Sequence, residues 1–258
     1  MMSSMAIQSV SVCSPEHGLA NQLGITINPL DISCIPASIR RRSSLPTRLA
    51  ISAAMTACEQ AGIKASETPS LFASVGGEML ITDQLCLELT KPVVHISPTQ
   101  FHNSVHNTAA AYWSIITGCQ QASTAMAAGD HTIAMVIIEA WSWLVTNGGK
   151  LLLVCYEESW PDYIDPGNGY HSIGYAMVLS AESDDKTIAH CSCPYVSDQP
   201  LQITSGLKKL IMCDPLLALT HLFQAIAKPG DVKVAPLSLD SRYWAVDVQV
   251  ASSHISAR

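Results

Sequence analysis

The side chains in this chain that could do chemistry fall into a few small groups. Asp130 and His131 are adjacent, which invites an acid-base dyad, yet neighbouring residues of a helix project about 100° apart and do not face each other. His102 and His106 stand four apart, a spacing at which two imidazoles on one helix face can chelate a metal. No Cys or carboxylate nearby completes a recognisable zinc set, so both read as structural and no metal is expected. His190, Cys191, Ser192 and Cys193 look like a ligand cluster only until strand geometry is applied, because residues i and i+2 share a face while i+1 points away. Gly76-Gly77 lacks the Lys-Ser/Thr or GxGxxG pattern of a phosphate loop and reads as a turn. Arg40, Arg41 and Arg42 form a basic run able to steer an acidic partner, although so short a run is more often plain solvated surface.

The whole chain narrows what these groups can be part of. With 258 residues, 48% of them hydrophobic and 14% charged, there is ample material for a core and disorder is excluded. A mean hydropathy of +0.24 is high for a monomer and predicts apolar surface covered by another chain. A membrane span needs about 18 uninterrupted apolar residues. The most apolar stretch, Ile133 to Val145, is broken by Glu139 and Ser142 and reads as a buried helix. Met1 to Val10 carry neither a basic start nor a long apolar run, which argues against a secretory signal and for the cytoplasm. The nine cysteines lack a framework and mostly sit in apolar runs, as reduced core thiols do. A net charge of −7 disfavours nucleic-acid binding, which depends on Lys and Arg neutralising phosphates.

The elements that must position these residues alternate along the chain. Met5 to Cys13 reads as a half-buried strand, and Pro46 to Ala61 as a helix with Ser44 as N-cap and Gly62 at its end. Leu71 to Val75 is a strand, Glu78 to Leu89 a helix, Pro92 to Ile96 a strand and Ser104 to Thr117 a helix. A small-residue strand, Ser123 to Ala128, leads into the helix Asp130 to Val145, and Leu151 to Tyr156 returns as a buried strand. Gly174 to Ala181 and Thr187 to Cys193 read as a strand pair, Asp214-Pro215 as the cap of an apolar helix running to Lys228, and Tyr243 to Val250 as a last strand. Strand alternating with helix indicates a layered α/β fold.

One segment carries a family likeness: Ser97 to Ala140, SPTQFHNSVHNTAAAYWSIITGCQQASTAMAAGDHTIAMVIIEA. Asn107, Ala110, Ser114-Ile115, Gly118 and the small-residue run Ser123 to Gly129 resemble beta-ketoacyl synthases of the thiolase superfamily. In that family an Asn opens an Ala-rich helix ending in Ile-x-x-Gly, and a small-residue strand then runs into the nucleophilic Cys at the start of a buried helix. An ungapped register puts Asp130 where the family has its Cys, with Ala134, Ile137, Ala140 and Leu144 suiting the nucleophile helix and Leu151 to Val154 the following strand. The resemblance covers residues 5 to 195. It implies a thiolase-like fold of the ketosynthase N-terminal half, helices layered around a mixed five-stranded sheet, within a single domain spanning 1–258. Residues 196–258 would then be a short helix-and-strand extension in place of a truncated C-terminal half. That missing half supplies the family's basic catalytic residues, two His or a His and an Asn; His221 and His254 match no such motif.

The physics of the substitution sets the expected function. A cysteine at a helix N-terminus is activated because orphan N–H groups and the dipole stabilise its thiolate, lowering a pKa of about 8.5. An aspartate keeps the anion and cannot carry a thioester. Asp130 is therefore expected to cap its helix by accepting from the backbone N–H of Thr132 or Ile133, worth about 1 kcal/mol, with no catalytic residue in the chain. The resemblance then implies a non-catalytic chain length factor that binds no cofactor and pairs with an active beta-ketoacyl synthase subunit, meeting an acyl carrier protein indirectly. In such heterodimers the two sheets join across a pseudo-twofold axis, and residues ahead of the Ala-rich helix reach the partner's acyl tunnel. Here those are Gln100, Phe101, His102 and Asn103, with Asn107, Thr124 and Met126 completing the expected tunnel and interface set. Phe101 reads equally as a tunnel plug or as plain core. His102 to Asn107 and Trp113-Ser114 resemble half-length proteins of aryl polyene clusters, which implies a polyunsaturated acyl chain. Two other classes stay open: a degenerate acyltransferase or hydrolase using Asp130 with a distant His, and a purely structural scaffold.

Overall fold

The computed structural model describes residues 4–164, 169–197, 205–228, 230–238 and 243–251. In chain order the elements are β1 (Ser4–Cys13), α1 (Leu19–Leu23), α2 (Ala37–Arg40), α3 (Leu45–Ala61), β2 (Ser70–Ala73), α4 (Met79–Leu89), α5 (Pro98–Asn103), α6 (Thr108–Thr117), β3 (Ser123–Met126), α7 (Thr132–Asn147), β4 (Lys150–Glu157), β5 (Ile173–Ser180), β6 (Ala189–Ser192), β7 (Tyr195–Ser197), α8 (Ser205–Cys213), α9 (Leu219–Ala227), β8 (Lys233–Pro236) and β9 (Tyr243–Val250). Among the described residues no helix is long and apolar enough to cross a membrane.

The strands lie in the order β3-β2-β4-β5-β1-β6-β9-β7, with β8 added on β9. β2 pairs in parallel with β3 and β4, whereas the remaining ladders are antiparallel. The expected five-stranded mixed sheet is thus present as β3-β2-β4-β5-β1, and it continues into a nine-stranded one among the described residues. β5 and β6 do not pair with each other as expected, because β1 lies between them and pairs with both. Pro92 to Ile96 forms no strand and is exposed. The helix expected from Ser104 to Thr117 begins only at Thr108, and a separate short helix, α5, precedes the expected span; the Thr108 hydroxyl folds back onto the carbonyls of Asn103 (3.0 Å) and Val105 (2.7 Å).

Helices cover both faces of the sheet, and strand alternation assigns the residues. Leu151, Leu153 and Cys155 with Tyr175, Met177 and Leu179 face α7 and α9, while Leu152, Val154 and Tyr156 with Ala176 and Val178 face α3 and α6. β1 keeps this division only by a bulge: its register on β5 slips between Ile7 and Ser9. Met5 and Ile7 before the slip, and Val10 and Val12 after it, therefore share the α7 and α9 side.

α3 starts and stops as its sequence dictates. The Ser44 hydroxyl accepts from the Thr47 amide at 3.3 Å, Pro46 sits in the first turn, and Gly62 takes the left-handed conformation at φ 62°. Its approach to β5 needs glycine at 174, where a Cβ would lie 2.6 Å from the Leu49 carbonyl oxygen.

Candidate functional site

The parallel strands β3, β2 and β4 finish at one edge of the sheet, the place where open α/β sheets bind ligands. Residues 127–131, 74–78 and 158–164 leave that edge, and the Ser74 amide ties the second of these loops to the end of β3 by donating to the Met126 carbonyl at 3.3 Å. The turn Pro215–Ala218 packs against both the Gly129–His131 turn and α7. The start of α7 is the apex of this region.

Asp130 does not cap α7. It sits in a 3-10 turn, Gly129–His131, that begins with Gly129 at φ 54°, and its side chain is exposed. His131 holds the cap position of α7, but its side chain does not cap the helix. Thr132 takes the polar role: its hydroxyl accepts from the Ala128 amide at 3.0 Å and donates to the Gly129 carbonyl at 2.7 Å. The tight turn is the cause, because it carries the carboxylate into solvent before the helix proper begins.

Three carboxyls missed in the sequence lie beside this apex. Glu157, fully buried at 0% exposure, ends β4. One of its oxygens accepts from the Ser74 hydroxyl (3.1 Å) and from the amides of Val75 (2.8 Å) and Gly76 (3.1 Å), and the other from the Trp160 indole (3.3 Å). Glu158 accepts from the Leu80 amide at 2.9 Å, in the first turn of α4. Glu78 accepts from the hydroxyls of Ser44 and Thr47, both at 2.7 Å, tying the start of α4 to the start of α3. Burial pushes the Glu157 and Glu158 carboxyls up to about 7 and raises that of Glu78 as well. None of the three forms an ion pair among the described residues. The one available signal was the pair Glu157-Glu158 closing the apolar run Leu151 to Tyr156, a place where a charge cannot reach water.

A fourth buried carboxyl, Asp214, caps its turn as expected, accepting from the Leu216 amide at 3.1 Å. It also accepts from the His171 amide at 3.0 Å and lies 3.6 Å from His171 Nδ1, an ion-pair distance rather than a hydrogen bond. Burial raises the Asp214 carboxyl, and the carboxylate in turn raises the His171 imidazole. Trp160 and Tyr170 stack at 3.8 Å over Gly76, whose position admits no side chain because a Cβ would meet the Trp160 indole at 2.7 Å.

The region can hold and move protons, but it has no activated thiol. All nine cysteines are free, and burial pushes the thiols of Cys13, Cys58 and Cys191 up to about 12 and that of Cys155 further, the reverse of nucleophile activation. Burial lowers His221 to about 4, keeping it neutral, and His254 lies outside the described residues. Among the described residues no cluster of His, Cys, Asp and Glu could hold a metal ion. His102 and His106 do not converge: His102 Nδ1 is 3.1 Å from Asn103 Oδ1, and His106 Nε2 is 2.9 Å from the Ser74 carbonyl.

The tunnel and interface set divides by position. Phe101 is 64% exposed, so it is not core of this chain. Gln100 links α5 to α4 by donating to Gln84 at 2.9 Å, and His102 is exposed. Asn103 is buried within the chain, donating to the Arg42 carbonyl at 2.6 Å and accepting from the Tyr112 hydroxyl at 3.0 Å. Asn107 is the exposed cap residue of α6. Thr124 is exposed on β3, Met126 packs partly against the α7 side, and β3 ends the sheet with its outer edge unpaired among the described residues. Packed on α5, α4 is an eleven-residue helix, MLITDQLCLEL, without one buried residue. Leu80, Leu87 and Leu89 of α4, then Val93, Val94 and Ile96, Phe101 and Val105 all stand exposed.

A mixed α/β sheet with helices on both faces, a buried helix rising from a small-residue strand and an apex at that helix's start define a thiolase-like half fold. The family model for the beta-ketoacyl synthase N-terminal domain matches residues 16–221, and the chain belongs to that family. Its fold is similar to a chain in the complex of the ketosynthase ApeO with its chain length factor ApeC from Xenorhabdus doucetiae, at TM-score 0.71 and 17% identity, covering 95% of this chain and 99% of that one. It is also similar to a chain of the ishigamide ketosynthase/chain length factor, at TM-score 0.64 and 15% identity over 95% and 98% of the two chains. A third likeness is to the type II polyketide synthase assembly AntDE:AntF, at TM-score 0.68 and 10% identity over 97% and 100%. No curated protein matches the sequence.

Proposed function

We propose that this chain is a non-catalytic, chain-length-factor-like subunit that docks on an active beta-ketoacyl synthase in the cytoplasm, stabilises it and shapes its acyl tunnel. The observation that carries the proposal is α4. A helix with apolar residues all round is normally buried, yet no residue of α4 is buried by its own chain, and it packs on α5, which carries the exposed Phe101. A protein surface covers such a patch, and a second ketosynthase-type sheet would also pair with β3. The exposed Asp130 at the apex supports the non-catalytic part, since a carboxylate cannot take the acyl thioester. The acyl chain would be of polyene or fatty-acid type, delivered on an acyl carrier protein to the partner.

Co-expression with ketosynthases encoded in the same genome, followed by affinity capture, tests the reading. A stoichiometric complex with one ketosynthase is expected, lost in an α4 variant that places charge at Leu87 and Leu89. Condensing activity of this chain alone, or capture of no ketosynthase, overturns it.

A further inference from the structure

β1 has a gap along one side. β6 leaves it where the Ile188 amide donates to the Ile7 carbonyl at 2.8 Å, and the loop before α2 rejoins it where the Asn28 amide donates to the Val12 carbonyl at 2.8 Å. Between those bonds no strand lies beside β1 among the described residues. In an antiparallel strand, alternate residues turn both amide and carbonyl to the same side, so Val10 directs its own pair into the gap, as Val12 directs its carbonyl. A cleft of about 430 Å³ fills this space, within the range of ligand pockets. Ile25, Ile188, Phe223 and Ile226 wall it, and none of its lining side chains is charged.

Two lining residues add unmet polar groups. Gln8, the residue at the bulge, donates its amide to Asp184 at 2.7 Å, but its side-chain oxygen has no partner. The Ser11 hydroxyl has none either, and both residues are 3% exposed. Buried polar atoms left unpaired are rare and destabilising. The cleft therefore offers a donor and an acceptor from one strand edge against an apolar wall, with two buried, unpaired oxygens behind that edge.

We infer that this cleft is a binding site for a small neutral ligand built on a secondary amide with an apolar substituent. The amide lies along Val10 as a short added strand, and the substituent packs on Phe223 and Ile226. The site uses neither α4, β3 nor the apex, so it stands apart from the proposed heterodimer.

N-acetyl-L-leucine N-methylamide is the probe, titrated into the full chain by calorimetry and by amide shifts in NMR. Saturable binding is expected, with N-acetyl-L-leucine methyl ester, which lacks one N–H, about five- to tenfold weaker. Ala227 is exposed at the end of α9 and lines the mouth, so Ala227→Trp should abolish binding while circular dichroism stays unchanged. Thr26→Trp, from the exposed opposite wall, should do the same and decides the matter if the first variant misfolds. Equal binding of the ester, unchanged binding in folded tryptophan variants, or no saturation by about 10 mM amide overturns the inference.

Discussion

Replacing Glu157 with glutamine should change how stability depends on pH. Glu157 is fully buried, and burial moves its carboxyl from 4.5 to about 7. A carboxyl raised by folding holds its proton more tightly in the native state. Its contribution is therefore complete below pH 4.5 and is lost as pH climbs through 7. At about 1.36 kcal/mol per pKa unit the full loss is roughly 3 kcal/mol, of which about 2 to 3 falls between pH 5 and pH 8. Glutamine is neutral throughout that window. Its amide can face only the Trp160 indole and the Glu158 amide, both donors, at a cost of about 1 kcal/mol. Glu157→Gln should thus be slightly less stable than wild type at pH 5 and gain about 2 to 3 kcal/mol on it by pH 8. Urea unfolding followed by circular dichroism at each pH gives both curves. The difference between proteins is the readout, because His221, lowered to about 4, gives an opposite slope in both. Parallel curves from pH 5 to 8 would refute the reasoning.

Gly76→Ala should cost about 1 to 3 kcal/mol by forcing the Trp160–Tyr170 stack apart, measurable in thermal melts and near-ultraviolet dichroism. Ser44→Ala removes the α3 cap and one of the two hydroxyls on Glu78, about 2 kcal/mol together, which should lower the melting temperature by roughly 4 to 8 °C. Phe101→Ala should alter product length in the assembled synthase without weakening assembly, read by mass spectrometry of the products and by gel filtration. Asp130→Asn should leave assembled activity close to wild type, whereas an enzyme relying on that carboxylate would lose nearly all turnover.

Local signals were legible where local physics decides. α3 was bounded by Ser44 and Gly62 because caps act within one turn, and β4 was readable because six consecutive apolar residues fit only a buried strand. Neighbours in the sheet were not readable, since β1 separates β5 from β6 through pairings of high sequence separation. Val93, Val94 and Ile96 are strand-like residues but have no strand beside them among the described residues. At the apex, Asp130 was expected to cap α7 and instead stands in the turn before it, because Gly129 opens a 3-10 turn and Thr132 bonds backward. The carboxyls around Glu157 escaped notice because Glu78, Glu157 and Asp214 are far apart in sequence and meet only through the loops at one sheet edge.

The uncovered α4 also bears on how the molecule survives in a cell. A helix of this character invites self-association and chaperone capture whenever it lacks its counterpart. If the proposed heterodimer forms, surplus copies would be removed by aggregation or proteolysis, and the standing amount of this protein would follow whichever of the two subunits is made more slowly.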